Sequence, residues 1–100
     1  MTFHQKAVAA EPENIAYLDS LGWAFYQLER YQDAVNPLQK ASETERPDPI
    51  ILEHLADTFD KLGQVEKAQQ TWKKALNLLP EKQQKDRKRI ESKLELESRE

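Results

Sequence analysis

Small and apolar residues recur in this chain at a fixed offset of 34 residues. A period of this length is typical of a structural unit that is repeated along the chain, often a pair of helices. The chain is therefore expected to contain two copies of one unit. The matched pairs are Leu18 and Leu52, Leu21 and Leu55, Phe25 and Phe59, Leu28 and Leu62, Ala34 and Ala68, and Ala41 and Ala75.

Within each copy, apolar residues follow one another at three- and four-residue steps, which predicts amphipathic helices. We expect helices over residues 15–28, 32–44, 49–62 and 65–79, and shorter ones over residues 1–11 and 81–97. No stretch alternates apolar and polar residues as a strand would. The residues expected to face inward are Ile15, Leu18, Leu21, Phe25, Leu28, Ala34, Val35, Leu38, Ala41, Ile51, Leu52, Leu55, Phe59, Leu62, Val65, Ala68, Trp72, Ala75, Leu76 and Leu79.

Proline, glycine and aspartate mark the expected helix ends. Pro12 is expected to end the leading helix, because proline disfavours helical backbone at the residue before it. Asp48 followed by Pro49 is a favourable N-cap and first helical residue, and Gly63 is a C-terminal stop. Pro37 lies inside the second helix of the first copy, where we expect a bend rather than a break.

The repeat resembles the tetratricopeptide repeat, a helix–turn–helix unit of the same period. The resemblance covers nearly the whole chain and rests on small and large residues at matching positions. It departs from the family at Leu18 and Leu52 in the first aromatic position, at Ala56 in the glycine position, and at Arg46 in the closing proline position. The matching residues are Leu21, Gly22, Phe25, Ala34, Leu38 and Ala41 in the first copy, and Leu55, Phe59, Ala68, Trp72, Ala75 and Pro80 in the second.

The resemblance implies an all-α, right-handed solenoid of antiparallel helix pairs with a C-terminal capping helix. Residues 1–12 would be the end of an upstream repeat, residues 15–48 and 49–80 the two complete repeats, and residues 81–100 a polar capping helix and tail. The leading half-repeat suggests that the chain is a fragment of a longer protein. Small residues at the glycine and alanine positions would let paired helices approach closely, and large residues would fill the space between them.

Charge and composition do not single out a polyanion or a membrane as the partner. The net charge of the chain is only -3. Residues 1–80 hold eight basic and twelve acidic groups, so the first eighty residues are the acidic part. The absence of cysteine removes disulfides and thiolate chemistry. No apolar run approaches the length of a membrane span, and no targeting signal assigns a compartment.

The sequence contains no recognisable catalytic or metal-binding constellation. Its two histidines, His4 and His54, are far apart and lack partners at ligand spacing. The only two glycines are isolated, which excludes a glycine-rich phosphate loop. The basic run over residues 85–89 is interleaved with acids and has no aromatic residue for base stacking, so we interpret it as a solvated helix. We therefore expect neither an enzyme nor a cofactor, and no nucleic-acid partner.

The family resemblance implies a groove lined by the first helix of each repeat, which holds a peptide or protein segment. Its aromatic and acidic residues favour a basic or apolar partner and argue against the carboxylate clamp of chaperone-binding members. His54 is expected at the groove edge or on the surface. The residues expected to line the groove are Ala16, Asp19, Trp23, Tyr26, Gln27, Ile50, Glu53, Asp57, Asp60 and Lys61.

Three alternatives stay open at this stage. Trp23 and Tyr26 could pack against the first helix of the neighbouring repeat instead of facing a partner. The chain could self-associate through the side of the first helix near Ile15 and Tyr17. It could also be the docking domain of a larger enzyme or secretion factor.

Overall fold

The computed structural model describes residues 12–98, which fold into five α-helices and, in that range, no strand. The predicted leading helix over residues 1–11 lies outside the described residues. The all-α prediction is confirmed for the rest. The helices are α1 (Pro12–Gln27), α2 (Tyr31–Ser42), α3 (Pro49–Lys61), α4 (Val65–Leu78) and α5 (Gln84–Ser98).

Each helix packs mainly against the next helix in the chain, and α1 also contacts α3. The most extensive contacts lie within the two helix pairs, α1 with α2 and α3 with α4. This packing of adjacent helices is consistent with a helical repeat.

Small and large side chains alternate in the buried core, as the repeat pattern predicts. Ala34, Ala56 and Ala68 are fully buried, and Leu38 and Trp72 fill the space between the helices. The core extends into α5 through a fully buried isoleucine at position 90. The predicted capping helix is therefore attached by an apolar contact as well as by its polar residues.

The turn after α1 closes with a pair of backbone hydrogen bonds. The N–H groups of Glu29 and Arg30 donate to the carbonyl oxygens of Tyr26 and Phe25, at 2.9 and 2.8 Å. This is the Schellman pattern, which needs a left-handed residue after the helix. Glu29 supplies it with a φ of 62°, a conformation that costs a residue with a Cβ atom more than it costs glycine.

The turn after α3 repeats the same pattern 34 residues later. The N–H groups of Gly63 and Gln64 donate to the carbonyl oxygens of Asp60 and Phe59, at 3.0 and 2.9 Å. Gly63 has a φ of 78°, and its predicted role as the helix stop is confirmed. The two helix pairs thus share one turn geometry, although only the second has a glycine in it.

The predicted start of α3 is also confirmed, because the Asp48 side chain accepts a hydrogen bond from the Ile50 N–H at 2.8 Å and Pro49 is the first helical residue. Pro37 is buried inside α2, which continues unbroken to Ser42 rather than to residue 44. Pro12 begins α1, and the helix that it was predicted to end lies outside the described residues. Proline is favourable at a helix start because its missing N–H has no partner there in any case.

Two residues predicted to face inward are exposed. Leu28 keeps 67% of its surface, because α1 ends at Gln27 and the chain turns away at that point. Val65 keeps 38% because it is the first residue of α4, at the outer end of the helix pair. The periodicity identified the correct helices. It ran one residue past the end of α1, and it did not show that the first residue of α4 is exposed.

Gly22 is required where α1 crosses α2. A Cβ atom at this position would lie 2.9 Å from Leu38 Cδ2 and 3.3 Å from the Ala34 carbonyl oxygen, and closer still to Leu38 Cγ. We therefore expect Gly22→Ala to lower the free energy of unfolding by about 1–2 kcal/mol, since overpacking outweighs the gain in helix propensity. Urea denaturation followed by circular dichroism measures the change.

The matched control is Ala56→Gly, at the equivalent position 34 residues later. If helix propensity decided the outcome, the two substitutions would have opposite signs, and Gly22→Ala would stabilise the protein. If close packing at α1 and α2 decides it, both substitutions destabilise. A stabilised Gly22→Ala variant would contradict the tight approach of the two helices.

Candidate functional site

The polar and aromatic residues predicted to line a groove lie on one surface of α1 and α3. We call this surface the first-helix face and define it by Asp19, Trp23, Tyr26, His54, Asp57 and Asp60. It borders α5, so three non-consecutive helices contribute to the site.

His54 joins α1 to α3 on the first-helix face. Its Nδ1 atom lies 2.9 Å from Asp19 Oδ1, and its ring stacks on the Trp23 indole with centroids 4.1 Å apart. Trp23 also stacks on Tyr26 at 4.5 Å. Trp23 therefore packs against the neighbouring first helix, as the packing alternative predicted, and His54 is a half-buried part of that contact.

The junction between α3 and α5 is ionic. Arg89 donates two hydrogen bonds of 2.7 Å to the two carboxylate oxygens of Glu53, and Lys93 Nζ donates a third at 2.6 Å. Glu53 is only 3% exposed, so its charge depends on these donors. Glu53 was expected to face a basic protein partner. In the structure its side chain is buried instead, and its carboxylate is paired with the basic side of α5.

This pairing also changes the interpretation of the basic run in α5. The run was predicted to be a solvated helix, but Arg89 binds Glu53 and Arg87 donates to the Leu76 and Leu79 carbonyl oxygens at 3.0 and 3.2 Å. Those carbonyls lie at the end of α4, where helical carbonyls are short of backbone donors, although Leu76 also accepts from the Leu79 N–H at 3.2 Å. The positive charges of α5 thus attach it to the rest of the protein.

Burial and ion pairing act in opposite directions on the Glu53 pKa. Burial alone would raise it, but the hydrogen bonds from Arg89 and Lys93 outweigh this and hold the pKa below its usual value. The same bonds to Glu53 raise the pKa of Arg89 further above its usual range. Both groups are therefore charged at neutral pH.

Asp57 lies one helical turn after Glu53 and is held from two sides. Trp72 Nε1 donates to its Oδ1 at 3.1 Å, and Lys93 Nζ lies 3.0 Å from each carboxylate oxygen. Burial raises its pKa more than Lys93 lowers it, so the pKa lies above its usual value. Trp72 was predicted as a core residue only, and it also places a donor at the first-helix face.

The spacing of these groups was visible in the sequence. Glu53 and Asp57 are four residues apart on α3, and Arg89 and Lys93 are four residues apart on α5, so each pair shares a helix face. Two acids matched to two bases in this way predict a contact between helices. The family pattern gave no reason to look for it, because it places no charged residues there.

A cleft of about 230 Å³ opens beside the ion pairs. It brings three of the predicted groove residues together with residues of α4 and α5. Burial raises the pKa of Tyr26 to about 12, with Asp57 and Asp60 contributing, so its hydroxyl stays protonated. The lining residues are Tyr26, Asp57, Asp60, Trp72, Lys93 and Leu96.

The other predicted groove residues lie outside this cleft. Gln27, Lys61 and Ala16 are exposed, and Ile50 is half-buried beside the N-cap of α3. Sequence reasoning missed Lys93 and Leu96 because it treated α5 as a cap only. It also underrated His54, which has no metal-ligand spacing but faces an acid on the neighbouring helix.

The described part of the chain contains neither a cluster of candidate metal ligands nor a membrane-spanning helix. Residues 12–98 contain no group of three or more histidine, aspartate or glutamate side chains that could hold a metal ion. Among the same residues, no helix combines the length and the apolar character that a bilayer crossing requires.

Comparison of the chain with protein-family models, with curated proteins and with solved structures finds no match. The interpretation of the site therefore depends on its own residues and geometry.

The lowered pKa of Glu53 makes acid stability sensitive to this residue. Between the folded and unfolded pKa values of Glu53, the unfolded chain binds more protons than the folded one. The contribution of Glu53 to the free energy of unfolding is therefore present above about pH 4.5 and is lost as the pH drops through the folded pKa. Asp57 has a raised pKa, so its effect on the free energy of unfolding changes with pH in the opposite direction. We expect Glu53→Gln to lose less stability than the wild type between about pH 5.5 and pH 3.

Urea midpoints at a series of pH values test this expectation. Glu66→Gln is the matched control, because Glu66 is exposed at the start of α4, and its pH profile should follow the wild type. Parallel profiles for Glu53→Gln and the wild type would show that the Glu53 ion pairs do not set acid stability.

Proposed function

We propose that this chain is a tetratricopeptide-like, non-catalytic module that binds a peptide or protein segment on its first-helix face. The proposal combines the 34-residue period with the repeated turn geometry after α1 and α3. It also uses the packing of each helix against the next, which is what an array of helix pairs requires. The resemblance to the repeat family supplies the right-handed solenoid as part of the same proposal.

The observation that carries the proposal is the cleft between α1, α3, α4 and α5. An open site with an aromatic wall, a carboxylate and an exposed leucine offers both apolar contact and polar specificity. Its residues come from four different helices, α1, α3, α4 and α5, so its shape depends on the helix array.

Selection from a random peptide library on the immobilised chain tests the proposal. We expect enriched peptides whose binding shifts the amide NMR signals of Tyr26, Asp60 and Leu96. A Lys40→Ala variant, altered at an exposed residue of α2, should bind the same peptides equally well. Failure to enrich any peptide, or binding that maps to α2 and α4 alone, would contradict the proposal.

Self-association is the second candidate, and one observation favours it. Tyr17 and Leu28 are 64% and 67% exposed, and Ala24 lies exposed between them. Tyr17 and Ala24 are seven residues apart and so lie on one side of α1, and Leu28 follows directly after the end of the helix. Tyr17 is also part of the side of α1 that was expected to self-associate. A stripe of this kind is a possible contact for a second copy of the chain.

Light scattering over a wide concentration range separates the two candidates. Self-association predicts a mass that rises with concentration in the wild type and stays monomeric in a Tyr17→Ser, Leu28→Ser variant. A monomer at every concentration would rule out this second function and leave the peptide-binding proposal unaffected.

A further inference from the structure

We infer that the cleft of the first-helix face receives one basic side chain, an arginine or a lysine of a protein partner, with Asp60 as its counter-charge. This inference rests on the proposed function and names the chemistry of the partner. It follows from which groups of the cleft are already paired, from the charge they leave, and from the size of the space.

Asp60 is the carboxylate of the cleft with free hydrogen-bonding capacity. Within the described residues, no side-chain or backbone donor binds its carboxylate. Asp57, in contrast, already accepts from Trp72 and Lys93. A half-buried carboxylate in a cleft that it shares with Tyr26 is a favourable place for a charged donor.

Lys93 does not make the cleft an anion site. Its ammonium group has three N–H donors, and it lies within 2.6 to 3.0 Å of three carboxylate oxygens of Glu53 and Asp57. Its charge and its donors are therefore committed. Arg89 is shared between Glu53 and Asp86. The carboxylates of Glu53, Asp57, Asp60 and Asp86 therefore outnumber the two cations Arg89 and Lys93, which leaves an excess of negative charge for a ligand to neutralise.

The size and walls of the cleft match a single long side chain. Its volume of about 230 Å³ is below the roughly 300–1,000 Å³ of sites for drug-sized molecules. Leu96 is 63% exposed at its rim, and Tyr26 forms an aromatic wall. The methylene stem of an arginine or lysine would lie along these apolar surfaces while its charged end reaches Asp60.

Parallel library selections on three forms of the full chain test the inference: wild type, Asp60→Asn and Asp33→Asn. The control makes the same chemical change at an exposed carboxylate of α2 that pairs with Arg30. We expect arginine or lysine to be enriched at one peptide position on the wild type and on Asp33→Asn. On Asp60→Asn that enrichment should disappear.

The strongest peptide then enters a double-substitution cycle. Replacing its basic residue by neutral citrulline or norleucine should weaken binding to the wild type by about tenfold or more and should change binding to Asp60→Asn little. Equal enrichment on Asp60→Asn, or citrulline binding as tightly as arginine, would overturn the inference. Peptides that bind the first-helix face without a basic residue would overturn it and leave the proposed function standing. If no peptide binds the wild type, Asp60→Asn or Asp33→Asn, the proposed function itself is contradicted.

Discussion

Replacing Trp72 by alanine is expected to lower the free energy of unfolding by about 3–5 kcal/mol. The side chain is 2% exposed and lies in the core between the helices of the second pair and α5. Its removal leaves a cavity and takes the indole donor away from Asp57, which keeps only Lys93. In a small domain of marginal stability, this loss is a large share of the total.

Trp23→Ala is the matched control for the Trp72 prediction. Trp23 is only half-buried and stacks on polar rings at the first-helix face, so its loss should cost less than half as much. Trp72→Phe keeps most of the volume and should lie between the wild type and Trp72→Ala. Circular dichroism is the suitable probe of unfolding, because each substitution removes one of the two tryptophans on which a fluorescence signal would depend. Equal losses for the two alanine variants would contradict the assignment of Trp72 to the core.

The second large effect is expected when Glu53 loses its partners. The double substitution Arg89→Met, Lys93→Met leaves a charge with 3% exposure and no cation beside it. Breaking a buried ion pair in this way costs roughly 3–5 kcal/mol. Because the Arg89 side chain is 44% exposed, water can reach part of the vacated site, and we expect a loss of about 3 kcal/mol.

The triple variant that adds Glu53→Met separates charge from packing. Removing the stranded carboxylate should restore much of the lost stability, since an apolar replacement of a buried ion pair is often neutral. Arg30→Met is the surface comparison. The Arg30 and Asp33 side chains are 59% and 49% exposed, so its loss should cost under about 1 kcal/mol. If the triple variant is less stable than the double variant, the role of Arg89 and Lys93 is not to neutralise the charge of Glu53.

The fold was predictable because its signals are local or periodic. The 34-residue spacing predicted the two helix pairs. The N-cap at Asp48 and the helix stop at Gly63 depend only on neighbouring residues. Leu28 was misplaced because periodicity does not mark where a helix ends. The turn that exposes Leu28 contains Glu29 instead of glycine, so it has no sequence signal.

The candidate site was predictable only in part, because it depends on contacts between helices. The offset placed Tyr26 and Asp60 at equivalent positions, and they line the same cleft. The pairing of Glu53 with α5 required knowing how α5 docks, which its weakly apolar sequence does not specify. Only the matched spacing of two acids and two bases indicated that contact, and a sequence with this many charged residues offers several such matches.

The packing of each helix against its neighbour has a consequence for folding kinetics. Few contacts join distant parts of the chain, and even the Lys93–Glu53 hydrogen bond spans only 40 residues. Proteins with such local contacts fold fast, because little loop-closure entropy is lost before the first favourable contacts form. Either helix pair could start folding by itself, with α5 joining last through its ion pairs. The residues that attach α5 would then govern how fast the folded protein opens, rather than how fast it forms.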